Sequence, residues 1–146
     1  MGNSPTSCVF SWLMYCRNSE KAEEYNEAIK WYRLAGELGH ADAQFNLGLM
    51  YEKGLGAPKD YNEAVKWYRM SAEQGVGKAQ YSLGHLHATG NGVVKNYIQA
   101  HMWFNIAGKN GQEEGFNNRD IIEREMAPDK VTEAQRLAGE WMEKNQ

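Results

Sequence analysis

Cysteine and proline are scarce in this chain of 146 residues, with two of the first and three of the second. Two thiols cannot staple a disulfide scaffold. Cys8 and Cys16 lie eight residues apart, about 12 Å along a continuous helix and too far to bridge, so they read as free thiols of a reducing compartment. An excess of positive charge is also missing. Sixteen Lys and Arg against 19 Asp and Glu give a net charge of -3, which argues against a phosphate-gripping surface and against nucleic acid as the main partner. No apolar run approaches the ~20 residues of a membrane-spanning helix. The apolar segment Val9–Tyr15 has no Lys or Arg before it and no small-x-small site after it. It is therefore a poor secretory signal, and a cytoplasmic location is expected. Met1-Gly2 with Thr6 fits the N-myristoylation pattern, and Cys8 fits as an acyl acceptor. That pattern is short and common by chance, and a first helix packing on residues 25–38 accounts for the segment without a lipid.

Catalytic signatures are absent as well. There is no Gly-x-Ser-x-Gly and no phosphate-cradling Gly-x-x-x-x-Gly-Lys. The serines at 4, 7, 11, 19, 71 and 82 are each followed three places on by something other than Lys, so a Ser-x-x-Lys nucleophile is missing. His85 and His87 form His-x-His, but residues two apart on a helix point to different sides and cannot easily share an ion. His87 falls where Tyr51 stands one unit earlier, which predicts packing between helices. His40 and His101 have no ligand cluster at useful spacing. No metal and no cofactor is expected, and the chain reads as a non-enzyme.

What the sequence does have is glycine, 15 residues of it, and a repeat. Trp31, Trp67 and Trp103 lie 36 residues apart, as do Tyr25, Tyr61 and Tyr97, Ala28, Ala64 and Ala100, and Gly39, Gly75 and Gly111. Aligning 41–76 on 77–112 gives 11 identities in 36 positions, so the period is real. Ala43, Leu47, Met50 and Tyr51 fall at i, i+4, i+7, i+8, one stripe of a helix. Gly54 and Gly56 then permit a left-handed turn. Asp60 is placed to cap a second helix, which carries Ala64, Trp67, Tyr68 and Ser71 on one face before Gly75 closes it. Each unit is thus a helical hairpin that must stack on its neighbours to bury its surface, and the repeated Trp and Tyr are expected to be interhelical core.

The string Ala43-x-x-x-Leu47-Gly48-x-x-Tyr51-x-x-Gly54-x-Gly56, then Asp60-Tyr61-x-x-Ala64-x-x-Trp67-Tyr68, with Gln44, Phe45 and Asn46 between Ala43 and Leu47, resembles the Sel1-like repeat. The resemblance covers roughly residues 20–145. It implies an all-α, right-handed α/α solenoid related to tetratricopeptide arrays, used mainly as a scaffold for protein contacts. The expected organisation is a degenerate N-terminal helix or cap over 1–19, a partial repeat over 20–40, full repeats over 41–76 and 77–112, and a C-terminal capping hairpin over 113–146. Arg119-Asp120, Met126-Ala127-Pro128 and the charged run from Lys130 to Glu143 resemble the closing segment of such arrays. Ala127 lacks the capping side chain that family members often carry there.

Leu47, Gly48 and Tyr51 should face the partner helix, turning positions 42, 45, 49, 52 and 53 away from it. In solenoids of this type that surface lines a concave groove. Asp42, Phe45, Leu49 and Lys53 of one unit and Lys78, Tyr81, His85 and Thr89 of the next are the expected partner-binding residues. The apolar members would anchor a peptide or helix of another protein, and Lys53, Lys78 and His85 would meet an acidic or C-terminal group. The rival readings are a homodimer through the apolar N-terminal segment and a hydrolase acting on cell-wall or lactam substrates.

Overall fold

The computed structural model describes the backbone of residues 5–145 and side chains from residue 21 onward. The expectations for the thiols of Cys8 and Cys16 and for the acylation pattern at Met1-Gly2 lie outside the described residues. Among the described residues seven helices follow one another: α1 (Pro5–Glu37), α2 (Ala41–Lys53), α3 (Tyr61–Glu73), α4 (Gly77–Thr89), α5 (Tyr97–Lys109), α6 (Glu114–Glu123) and α7 (Pro128–Lys144). Among the described residues there is no strand. Each helix packs on its sequence neighbour from α1 to α6, and both α6 and α7 pack on α5.

The hairpins form for the reasons legible in their residues. Asp60 is extended and its carboxylate accepts from the backbone N–H of Asn62 (3.0 Å) and Glu63 (3.2 Å), satisfying amides that open the helix without partners. Asn96 does the same for Ile98 and Gln99 one period later. The turn between the helices needs glycine at Gly56 for two reasons. Its φ is +75°, and a Cβ there would lie 2.5 Å from the carbonyl oxygen of Tyr25 on α1, the second helix of the preceding unit. Gly92 repeats this against Tyr61 at 2.4 Å. The turn is thus wedged under the previous unit, coupling hairpin shape to stacking.

The core runs along the array. Leu47, Tyr68, Leu83, Phe104 and Ile106 are buried together with Ala64, Ala72, Ala79 and Ala107. A second, polar thread accompanies them. Gln74 donates to the Gln44 side-chain oxygen at 2.7 Å, and Gln44 donates to the carbonyl of Gly36 at 2.9 Å. One unit on, Asn110 donates to Gln80 at 2.8 Å and Gln80 to the carbonyl of Ala72 at 3.0 Å. Each buried glutamine so joins the last turn of one second helix to the end of the next. At the third occurrence the position holds Phe116, whose ring lies against Gly108, where a Cβ would stand 2.5 Å away. The polar thread stops at an apolar plug.

α7 closes the array. Pro128 occupies its first turn and Ala127 provides no side-chain cap. Ala134 and Ala138 are fully buried, Trp141 meets Trp103 edge to face at 5.6 Å, and Arg136 pairs with Glu133 and Glu140 on the solvent side.

Two expectations are corrected. α1 runs unbroken across residues 19 and 20, so the N-terminal helix does not fold back on 25–38. Between Cys16 and Tyr25 there is no glycine or proline to stop it. As a result Trp31 is 67% exposed, while Trp67 and Trp103 are 4% and 5% exposed. Trp31 is not interhelical core, because the straight helix brings no neighbour over its face.

Candidate functional site

The first helices of successive units, α2, α4 and α6, share one side of the array. Glu52 on α2 accepts from the Tyr68 hydroxyl at 2.8 Å, and Ser82 on α4 reaches the same phenol, so that hydroxyl sits where three helices meet. Burial pushes the Tyr68 phenol well above the usual tyrosine range, and the Glu52 carboxylate adds to the shift. Tyr68 is therefore a permanent donor that pins α2 to α3. Farther along, Asn118 on α6 donates to the Tyr81 hydroxyl on α4 at 2.7 Å.

The expected partner-binding residues fall into two groups. Asp42, Lys53, Lys78, His85 and Thr89 are exposed, and Leu49 is half-buried. Thr89 is occupied locally, its hydroxyl donating to the His85 carbonyl at 3.0 Å. Phe45 and Tyr81 are half-buried and stacked, Phe45 on Tyr68 (ring centroids 5.7 Å) and Tyr81 on Phe104 (5.6 Å). Positions 45 and 52 are thus not turned away from the partner helix. The Tyr68 ring slides over Gly48, where a Cβ would lie 2.7 Å from it, and side chains three before and four after the glycine close around the ring.

One position of the repeat reads Leu49, His85 and Ile121 on α2, α4 and α6, 36 residues apart, half-buried at Leu49 and exposed at His85 and at Ile121 (56%). Ile121 escaped the sequence reading, although extending the period by one step from His85 reaches it. The closing segment reads as a cap from its charged run, although it opens as a third first helix.

The histidines separate as their spacing required. His85 is exposed, whereas His87 is buried with neither ring nitrogen hydrogen-bonded. Burial, with the Arg69 guanidinium nearby, lowers its pKa from the ordinary value. Arg69 follows the repeat from Arg33, which donates to the hydroxyl of Tyr51, the counterpart of His87. His101 is fully buried on α5, its Nε2 3.2 Å from Glu123. Burial lowers its pKa, and Glu123 opposes that shift. Among the described residues no three His, Cys, Asp or Glu side chains converge as a metal would need, and no helix is long and apolar enough to cross a membrane.

The 36-residue units correspond to a known family pattern. The pattern described as the Sel1 repeat matches residues 17–40, 41–76 and 77–112. Among solved structures, the chain is similar to c5321, a protective antigen present in uropathogenic Escherichia coli strains that displays an SLR fold. The TM-score is 0.82 and the identity 34%, over 98% of this chain and 31% of that one. It is also similar to a Sel1 repeat protein from Oxalobacter formigenes, with a TM-score of 0.64 and 45% identity over 66% of this chain and 40% of the other. The chain therefore spans well under half the length of either relative. No curated protein matches it. Proteins built of such repeats serve in general as protein-interaction modules. With three consecutive matches and a neighbour that superposes along nearly its whole length, this chain belongs to the Sel1 repeat family.

Proposed function

We propose that the chain is a non-catalytic adaptor that binds a peptide or helix of another protein along the side formed by α2, α4 and α6. The observation that carries this reading is the row Leu49, His85 and Ile121, which repeats at the period of the array and opens to solvent at His85 and Ile121, while Trp67 and Trp103 pack inward. Apolar side chains set in register on a rigid surface, here the exposed Ile121 and the half-buried Leu49, are what an extended or helical ligand needs for anchorage. Asp42, Lys53 and Lys78 flank that row as exposed charges and would set ligand orientation more than affinity. Phe45 and Tyr81 contribute only their outer edges, since each is held by a ring from the second helix.

The test is selection of binding peptides from a random display library, followed by titration of the best binder. Leu49→Glu with Ile121→Glu should weaken it at least about tenfold, the size of one lost anchor, with the unfolding midpoint nearly unchanged. Binders that tolerate the double variant would place the site elsewhere.

A further inference from the structure

Three helices end at one place. Gln74, Asn110 and Asn145 are the C-caps of α3, α5 and α7, and with Glu73, Trp141 and Met142 they line an open recess of about 340 Å³. That volume falls at the lower end of small-ligand clefts. The recess shares no residue with the row on α2, α4 and α6.

The polar thread decides which atoms are left for a ligand. The Gly36 carbonyl can only accept, so Gln44 gives it the amide nitrogen and turns its own oxygen to Gln74. Gln74 answers with nitrogen, which leaves its oxygen outside the thread, on a side chain that lines the recess. The Ala72 carbonyl imposes the same order on Gln80 and Asn110. The Trp141 carbonyl likewise takes the amide nitrogen of Asn145. Backbone donors are used up as well, since the N–H groups of Gln74, Gly75, Asn110 and Asn145 all bond back to carbonyls of their own helices. Three amide oxygens and the Glu73 carboxylate are thereby left to accept from a ligand.

The electrostatics have the same sign. A helix C-terminus carries roughly −0.5 of an elementary charge, and three of them meet here beside Glu73. Lys109 and Lys144 sit in the last turns of α5 and α7, but neither they nor any other Lys or Arg is among the described residues that line the recess. Trp141, steadied by Trp103 at 5.6 Å, adds an aromatic ring of the kind on which cations rest. One carboxylate is too little for a divalent metal, and among the described residues no three His, Cys, Asp or Glu converge. A guanidinium suits the site better than an ammonium. Its planar fork of five donors serves several acceptors at once, its face stacks on an indole, and it is the more weakly hydrated of the two.

We infer that this recess binds the guanidinium of an arginine side chain presented by a partner protein. Glu73 is the counter-ion, the oxygens of Gln74, Asn110 and Asn145 are acceptors, and Trp141 is the stacking surface.

The probe is N-acetyl-arginine methylamide, titrated into the full chain while nitrogen–proton correlation spectra follow the Trp141 indole and the Asn110 side-chain amide. Both signals should move saturably. Binding should be at least about threefold weaker for the corresponding lysine derivative and undetectable for the citrulline derivative, which keeps the shape without the charge. Glu73→Gln should weaken it at least about fivefold by removing the charged acceptor. Asn145→Lys, which sets a cation of the chain's own in the recess, should abolish it. Both residues are exposed, so circular dichroism and the urea midpoint should stay unchanged, and added salt should weaken binding. Signals that fail to move, a lysine or citrulline derivative that binds as tightly as arginine, or binding that survives intact in folded Glu73→Gln or Asn145→Lys would each overturn the inference.

Discussion

Gly48 and Tyr68 touch across the first complete hairpin so closely that a Cβ on the glycine would stand 2.7 Å from the ring. Tyr68 cannot retreat, because it is fully buried and its hydroxyl is tied to Glu52. Gly48→Ala should therefore destabilise the chain even though alanine is the better helix former by up to ~1 kcal/mol. Overpacking costs about 1–3 kcal/mol, so a net loss near 1–2 kcal/mol is expected in urea unfolding. A stabilised variant would show that the two helices move apart freely.

Stability should fall with acid through two histidines. His87 and His101 are buried, and burial lowers both pKa values in the folded state. The unfolded chain then binds protons that the folded chain refuses, so stability rises with pH in that window. The contribution is complete above the ordinary histidine pKa of about 6.5 and is lost as pH falls below it. His87→Tyr restores the residue found at Tyr51, opposite Arg69 as Tyr51 is opposite Arg33. It should remove part of the acid sensitivity measured by thermal unfolding between pH 7.5 and 5. An unchanged pH profile in this variant would assign the whole effect to His101 or to carboxylates.

The polar thread predicts a different response. Gln80→Leu keeps the size of the side chain but strands the Ala72 carbonyl and the Asn110 amide. The loss should be about 1–3 kcal/mol, as for other buried polar groups left without partners. Adding Asn110→Ala should cost little more, because its partner has already gone. Additive losses in that double-mutant cycle would mean the two amides act independently.

The caps can be tested singly. Asp60→Ala should cost ~1 kcal/mol and Asn96→Ala a similar amount, while Asp60→Asn should be nearly neutral. Equal losses for Asp60→Ala and Asp60→Asn would point to charge, and not the acceptor geometry, as the source of the effect.

The sequence made the hairpins legible because their punctuation is chemical. Asp60, Gly54, Gly56 and Gly75 each have a local reason to be where they are, and the period multiplied that signal. Burial at the edge of the array was not legible. Trp31 has nearly the same local sequence as Trp67, Tyr25-Asn26-Glu27-Ala28 recurring as Tyr61-Asn62-Glu63-Ala64, and covering by a neighbour separates them. The inward packing of Phe45 was not legible for a related reason, since a helical wheel gives direction but not reach. The glycine at 48 brings the Tyr68 ring within range of a residue that the wheel turns outward. Ile121 was not legible because α6 keeps the spacing of a first helix while losing its Leu-Gly pair.

Phe116 has a consequence for how such a molecule can change in length. In each complete unit before it a buried glutamine gives its amide N–H back to a carbonyl of the preceding second helix and takes one from the end of its own hairpin. Phe116 gives nothing back and takes nothing. Copies of residues 41–76 inserted upstream would find matching partners on both sides, whereas a unit built on Phe116 has neither amide nor acceptor to share. Reach can thus be adjusted by duplication without redesigning the terminus, in one direction only. The stop signal is a single aromatic ring resting on Gly108.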